Sequence, residues 1–339
     1  MGPVQNDWAG NGSIVRAESD PSRDLAELAG RPLLVCGHPR SGTSLVMSLL
    51  DGHPDVVAFP EETKYFRAIH RRRSLHSAER LLAHTRVGRL SRDRATALAH
   101  GQDFAGIDGA VFERELRERL AVPRRLRELL PAVMLAYATA AGASPARYWA
   151  EKTPLHEHHL DTALGLWPEL VAIYLLRDPR DVGASFRAKR RQRGRGLPVR
   201  TLARRMQASL AAWEAFSGRH PQRCLMLRYE DLVRAPEPVM RSVADFLGIA
   251  WNPTLLQPTL AGRTWSGNSS FGEAHREVSA APIGRHASLL SEDEIRALEA
   301  WLAPEFERFE WHRTQPAVRP PGWVAVLRAS LGSLRRHSS

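Results

Sequence analysis

An apolar run, Pro32-Leu-Leu-Val-Cys36, leads directly into Gly37-His-Pro-Arg-Ser-Gly-Thr-Ser44 and then into a helical stretch that ends at Leu50, with Gly52 to cap it and Pro54 to stop it. This junction limits the fold more than any other stretch of the chain. A strand apolar at every position is covered on both faces. A loop with two glycines and adjacent hydroxyls, opening a helix, turns backbone N–H groups and the positive helix end toward a common point where an oxyanion can sit. More strand-like runs follow: Asp55-Val-Val-Ala-Phe59, Tyr148-Trp-Ala150, 170–176 and 224–229. Helical spacing is expected over 181–190, 202–216 and 238–247, the last with Pro238 in its first turn and Gly248 as C-cap. This alternation predicts an α/β chain with a three-layer, P-loop-like fold: a central, mostly parallel sheet flanked by helices. Residues 66–141, rich in Arg, Ala and Leu, read as a helical insertion.

Charge sets the next limit. The 339 residues carry a formal net charge of +11, and among the basic residues only Lys64, Lys152 and Lys189 are lysines. Such a bias reflects coding composition more than selection for DNA, but arginine is the better bidentate partner for phosphate and sulfate, and excess positive charge concentrates anionic ligands. Small anionic ligands are therefore favoured over nucleic acid, for which no helix-turn-helix or aromatic RNA-binding signature is present. No stretch of 18 apolar residues exists and no apolar leader precedes Arg31, so the expectation is a cytoplasmic chain without an integral membrane segment. Cys36 and Cys224 lie in apolar runs and read as buried thiols.

Against the pattern G-x-x-x-x-G-K-[ST], the loop matches at Gly37, Gly42 and Ser44 but has Thr43 at the lysine position, with its cation earlier, at Arg40. No apolar strand ends in an aspartate suited to magnesium. A nucleotide kinase is thus an alternative that the loop itself weakens. The second anion-binding segment is Tyr174-Leu-Leu-Arg-Asp-Pro-Arg-Asp-Val-Gly-Ala-Ser185, in which Arg177 ends an apolar strand at the sheet edge where α/β proteins bind ligands. An arginine and a hydroxyl there make a phosphate clamp. The plainer reading is a strand-terminal Arg-Asp pair capping a helix through Asp178 and Asp181.

His-Pro-Arg-Ser-Gly-Thr-Ser closely resembles the 5′-phosphosulfate loop of sulfotransferases that use 3′-phosphoadenosine 5′-phosphosulfate (PAPS), and the Arg177…Ser185 segment resembles their 3′-phosphate motif. Glu61-Glu-Thr63, Glu151-Lys-Thr-Pro154, Arg228-Tyr-Glu-Asp231 and Gly284-Arg285 fit the same bacterial-type family, and the likeness runs from about residue 32 to 310. The resemblance implies transfer of a sulfuryl group from PAPS, without metal, to a hydroxyl acceptor of small-molecule or glycan type. It implies that Arg40, Ser41, Gly42, Thr43 and Ser44 hold the phosphosulfate, and that Arg177, Ser185 and Arg285 bind the 3′-phosphate side. Where tryptophan or tyrosine is common after the Gly-Arg pair, this chain has His286. Lys152 matches a lysine that touches the transferring group in tyrosylprotein sulfotransferases; its alternative is a pair with Glu151.

The acceptor must lose a proton, which calls for a base. Pro60-Glu-Glu-Thr-Lys64 resembles the Glu-Glu-Thr-Arg segment of the tyrosylprotein enzymes and selects Glu62, while counting from Arg40 selects Glu61; an N-cap carboxylate is the bland alternative. His156, His158 and His159 are rival bases. Their His-Glu-His-His grouping is read as a solvated helical face rather than a zinc site. Ser269, Ser270 and Phe271 are candidate nucleotide contacts, and the basic run 187–195 a candidate steering surface. The expected organisation is a loose arm over 1–30, a catalytic domain over 31–315 whose 66–141 insertion faces the acceptor, and a basic tail over 316–339. In that tail Val324, Leu327, Leu331 and Leu334 form a stripe that docks on the domain, meets acidic lipid or pairs with a second copy as a homodimer.

Overall fold

The computed structural model describes residues 25–66, 107–122, 124–143, 146–191, 198–265, 267 and 277–313. Five parallel strands form the centre: β1 (Arg31–Cys36), β2 (Val56–Ala58), β3 (Tyr148–Glu151), β4 (Val171–Leu176) and β5 (Cys224–Arg228), in the order β2-β3-β1-β4-β5. Side chains alternate between two cores, as a period of two requires. Leu34, Cys36, Trp149, Ala172 and Tyr174 face one; Leu33, Val35, Tyr148, Ala150 and Ile173 face the other. The apolar run at 32–36 is therefore explained by helices on both sides of its strand.

Helix α1 (Leu25–Leu28) precedes β1 and α2 (Thr43–Leu50) follows it. The expected loose arm gives way at residue 25: Leu25 and Ala29, four apart on one face, are buried, and Leu25 N donates to Glu128 Oε1. Residues 1–24 lie outside the described part. Of the expected insertion, 66, 107–122 and 124–141 are described and contain α3 (Gly109–Arg119) and α4 (Leu126–Ala140). Pro131 inside α4 cannot donate to the Arg127 carbonyl one turn back, and Trp167 Nε1 donates to that carbonyl instead, at 2.8 Å.

After β3 come a 3₁₀ turn (His156–His159) and α5 (Leu160–Leu166). Helix α6 (Pro179–Arg191) follows β4, and α7 (Val199–Arg219) leads back to β5. Beyond β5 lie α8 (Tyr229–Arg234) and α9 (Pro236–Leu247). Helix α9 begins at Pro236, two residues before the expected Pro238. Both prolines sit in the first turn, where the N–H they lack has no helical acceptor. Gly248 caps α9 at φ +62°, as its sequence predicts. A two-residue antiparallel ladder, β6 (Thr259–Leu260) with β7 (Arg263–Thr264), and the short helices α10 (His286–Leu289), α11 (Glu292–Trp301) and α12 (Ala303–Arg308) complete the described chain.

One topological fact positions the site. Neighbouring strands β1 and β4 send their following helices to opposite faces: α2 buries Val46 and Leu49 in one core, and α6 buries Val182 and Ala184 in the other. The loops after these strands part, leaving a crevice at the carboxyl edge of the sheet.

Candidate active site

The loop after β1 turns within a few residues through three left-handed positions, Gly37 (φ +140°), Arg40 (φ +77°) and Gly42 (φ +99°). The two glycines are required by packing as well as by φ. A Cβ at Gly37 would lie 2.7 Å from the Leu175 carbonyl oxygen, and one at Gly42 would lie 2.5 Å from the Tyr229 ring. Ser41 N donates to His38 O, closing the turn. Gly42 stands at the N-cap of α2 and has no side chain with which to cap it. Ser41 and Thr43 are buried at the loop's inner side. His38 keeps its ring beside the loop, against Phe186, and burial pushes its pKa down to about 4.

The second segment meets this loop directly. Arg40 Nε donates to Ser185 Oγ at 2.9 Å, and Arg177 NH1 donates to the Arg40 carbonyl at 3.1 Å. Arg177 is buried; its guanidinium lies over the Tyr229 ring at 4.1 Å, NH2 donates to Pro282 O, and Nε has no hydrogen-bond partner among the described residues. Burial first, and then Arg177, lower the pKa of Arg40, with Glu62 acting in the opposite direction. Two guanidiniums lie close together beside the glycine-capped start of α2, a charge arrangement suited to an anion.

Glu62 follows β2, Lys152 follows β3, and the structure brings them together: Lys152 Nζ is 3.1 Å from Glu62 Oε1. Lys152 therefore pairs with Glu62 and not with Glu151. Glu61 is buried, whereas the Glu62 side chain is 37% exposed and opens to solvent.

The His-Glu-His-His segment meets its expectation in part: His158 is exposed and His159 half-buried, but His156 and Glu157 are buried in a 3₁₀ turn, because each serves a neighbour below the site. Glu157 Oε2 accepts from Gly37 N at 3.1 Å, and its other oxygen takes a very short bond from Ser209 Oγ, itself joined to the Tyr174 hydroxyl. Burial raises the pKa of Glu157. His156 Nδ1 lies 2.9 Å from Glu151 Oε2. Among the described residues no group of three or more His, Cys, Asp or Glu is placed to hold a metal.

Asp178 caps α6 by accepting from Arg180 N, as expected, but Asp181 does something else. Its oxygens accept from Gly284 N, His286 N and His286 Nδ1, fastening the 284–286 segment to α6. Burial alone would push the Asp181 pKa up; the His286 and Gly284 hydrogen bonds outweigh it and hold the carboxyl below its usual range. Arg285, at the N-cap of α10, is half-buried and donates to Ala281 O. Glu230 Oε1 accepts from Asp178 N. Sequence reasoning gave no role to Glu157, Tyr229, Glu230 or Asp181's grip on 284–286, and saw Glu151 only as a motif member and an alternative partner for Lys152. For Tyr229 and Glu230 a signal existed, since both stand in the Arg-Tyr-Glu-Asp segment. Ser269, Ser270, Phe271 and residues 192–195 of the basic run lie outside the described residues, as does the 316–339 tail.

Comparison with known proteins agrees with this architecture. A protein-tyrosine sulfotransferase of Drosophila melanogaster is 28% identical over 231 residues, 66% of this chain and 39% of that protein. Protein-tyrosine sulfotransferase 1 of Danio rerio is 25% identical over 273 residues, 80% of this chain and 65% of that protein. The chain thus spans less than two thirds of these curated relatives. Among solved structures, the sulfotransferase domain from the curacin biosynthetic pathway matches with TM-score 0.56 at 19% identity, over 84% of this chain and 99% of its own. The sulfotransferase domain from the Synechococcus PCC 7002 olefin synthase gives 0.52 at 20% identity, over 85% and 96%. At these identities the likeness is one of fold. The sequence profile of the sulfotransferase family matches residues 32–253, most of the sheet with the Gly37–Ser44 loop and the Arg177…Ser185 segment, and the chain belongs to that family.

Proposed function

We propose that this chain transfers a sulfuryl group from PAPS to a hydroxyl acceptor. The observation that carries the reading is the hydrogen bond from Arg40 to Ser185, which joins the phosphate loop to the arginine–serine segment at one crevice. A ligand with a single phosphate needs only the loop; a donor with anions at both ends needs both segments. The unpartnered Nε of buried Arg177 supports a second anion, since a buried donor left unpaired is costly.

In this reading Ser41, Gly42, Thr43 and Ser44, with the N-terminal end of α2, receive the 5′-phosphosulfate. Arg40 and the loop amides stabilise the charge that grows on the departing phosphate. Arg177 and Ser185 bind the 3′-phosphate, and Arg285 closes over that side on the segment held by Asp181. Glu62 accepts the acceptor's proton as its oxygen bonds to sulfur; the sulfur–bridging-oxygen bond breaks, and its electron pair stays on the 5′-phosphate. Lys152, already beside Glu62, offers a point charge to the transferring group. The SO3 unit carries less charge than a phosphoryl group, so no metal is required. A nucleotide kinase is the weaker reading, because Thr43 stands where that loop needs lysine.

Calorimetry with 3′-phosphoadenosine 5′-phosphate and with AMP tests the donor. The bisphosphate should bind at least about tenfold more tightly, and Arg177→Ala should erase the difference. Equal affinity for the two ligands would remove the 3′-phosphate assignment. The acceptor is then sought by screening glycan, peptide and small-molecule hydroxyls.

A further inference from the structure

Beneath the Glu62–Lys152 pair sits a second carboxylate, Glu151, with none of its side chain exposed. Its Oε1 accepts three hydrogen bonds: from Thr63 N at 2.9 Å, Thr63 Oγ1 at 2.8 Å and Thr153 Oγ1 at 2.7 Å. Thr153 Oγ1 in turn accepts from Lys64 N at 3.0 Å. The two residues after Glu62 are thus fastened to the two residues that flank Lys152. Lys64 is held in the left-handed region, at φ +52°, a conformation that a lysine keeps only when its surroundings impose it. From β2 and β3, which pair in parallel register up to Ala58 and Ala150, the chain continues into two segments that this carboxylate joins.

We propose that Glu151 is a positioning residue for the transfer reaction: through Thr63 and Thr153 it sets the distance between the proton-accepting carboxylate of Glu62 and the ammonium of Lys152. Burial works against an ionised Glu151, but His156 and the hydrogen bonds from Thr153 and Thr63 outweigh it and hold its pKa below the usual range. The bonds that carry the brace are therefore charge-assisted, the stronger and shorter kind. Glu62 itself is partly exposed and would otherwise sample several rotamers, which a reaction needing a fixed acceptor–base distance cannot use. The proposal rests on the reading of Glu62 and Lys152 as the reacting pair.

Three variants of the full chain test it: Glu151→Gln, Thr63→Val and Thr63→Ser. The first measurement needs no acceptor. Hydrogen exchange at the Thr63 and Lys64 amides should speed up by about tenfold or more in Glu151→Gln and Thr63→Val, with exchange in β1 and α2 unchanged. Affinity for 3′-phosphoadenosine 5′-phosphate should stay within about twofold. In the second measurement, release of that product from PAPS is followed with 4-nitrophenol or water as acceptor. There kcat should fall about 10–100-fold in Glu151→Gln and less in Thr63→Val, with donor KM unchanged, and Thr63→Ser should recover most of the wild-type rate. Faster exchange throughout the sheet, or a normal kcat in Glu151→Gln, would overturn the positioning role. Should Glu62→Gln turn over like the wild type, the assignment of the base fails instead, and the exchange measurement still decides whether Glu151 holds the 62–64 segment.

Discussion

At the scale of single residues, the site is a set of charges each held by another element. Glu62→Gln keeps the shape of the side chain and its contact with Lys152 but cannot accept a proton. Its kcat should fall on the order of 10²–10⁴-fold while bisphosphate affinity measured by calorimetry stays nearly constant. Arg40→Ala should weaken both, because Arg40 holds Ser185 and, in the proposed reading, also faces the phosphosulfate. Glu61→Gln should be mild in turnover; inactivation there with normal turnover in Glu62→Gln would move the base by one position. His38 gives a pH signature. Its pKa is pushed down to about 4 by burial, against an ordinary value near 6.5, so the unfolded chain takes up the proton first. Stability from this residue is complete above the ordinary value and is lost as pH falls from about 6.5 to about 4, by up to about 3 kcal/mol. Urea melts between pH 7 and pH 4 should show this decline, and His38→Asn should flatten that part of the curve.

At the scale of elements, the loop–helix junction depends on backbone shape that only glycine supplies. Gly42→Ala places a methyl at φ +99° and 2.5 Å from the Tyr229 ring, which also lies beneath Arg177. The ring can move only by disturbing the arginine. The variant should lose about 1–3 kcal/mol of stability and bind the bisphosphate more weakly, read by thermal melts and calorimetry. Gly284→Ala is the control: φ is +76°, yet nothing lies within 4 Å of its Cβ. It should show strain alone and no steric component. A Gly42→Ala variant melting and binding like wild type would mean that Tyr229 does not pack on the loop.

At the scale of the whole molecule, the sheet's order brings the loop after β1 and Arg177 to one edge. Because β1 is central and its neighbour β4 sends α6 to the opposite face from α2, the phosphate loop and Arg177 share one crevice. Turnover should therefore survive EDTA, with Arg40, Lys152 and the helix end covering charge that magnesium neutralises in phosphoryl transfer. Complete loss that magnesium restores would favour the kinase reading. Much of this architecture was legible in the sequence. Fully apolar runs marked the strands of the doubly covered sheet, and Gly37, Gly42 and Ser44 at their spacing marked the loop, because period and backbone conformation are local properties. Local spacing could also bring Arg177 and Ser185 into one segment. It could not tell that Lys152 pairs with Glu62 rather than its neighbour Glu151, since the two segments meet only when β2 and β3 lie side by side. Nor could it identify the carboxylates beneath the site. Glu157 reaches Gly37 across 120 residues and Glu151 reaches Thr63 across 88, and in a one-dimensional reading each is just another charged residue. The sequence determined which elements form and where an anion can be held; burial, which exists only once both faces of the sheet are covered, decided which charges support that place from below.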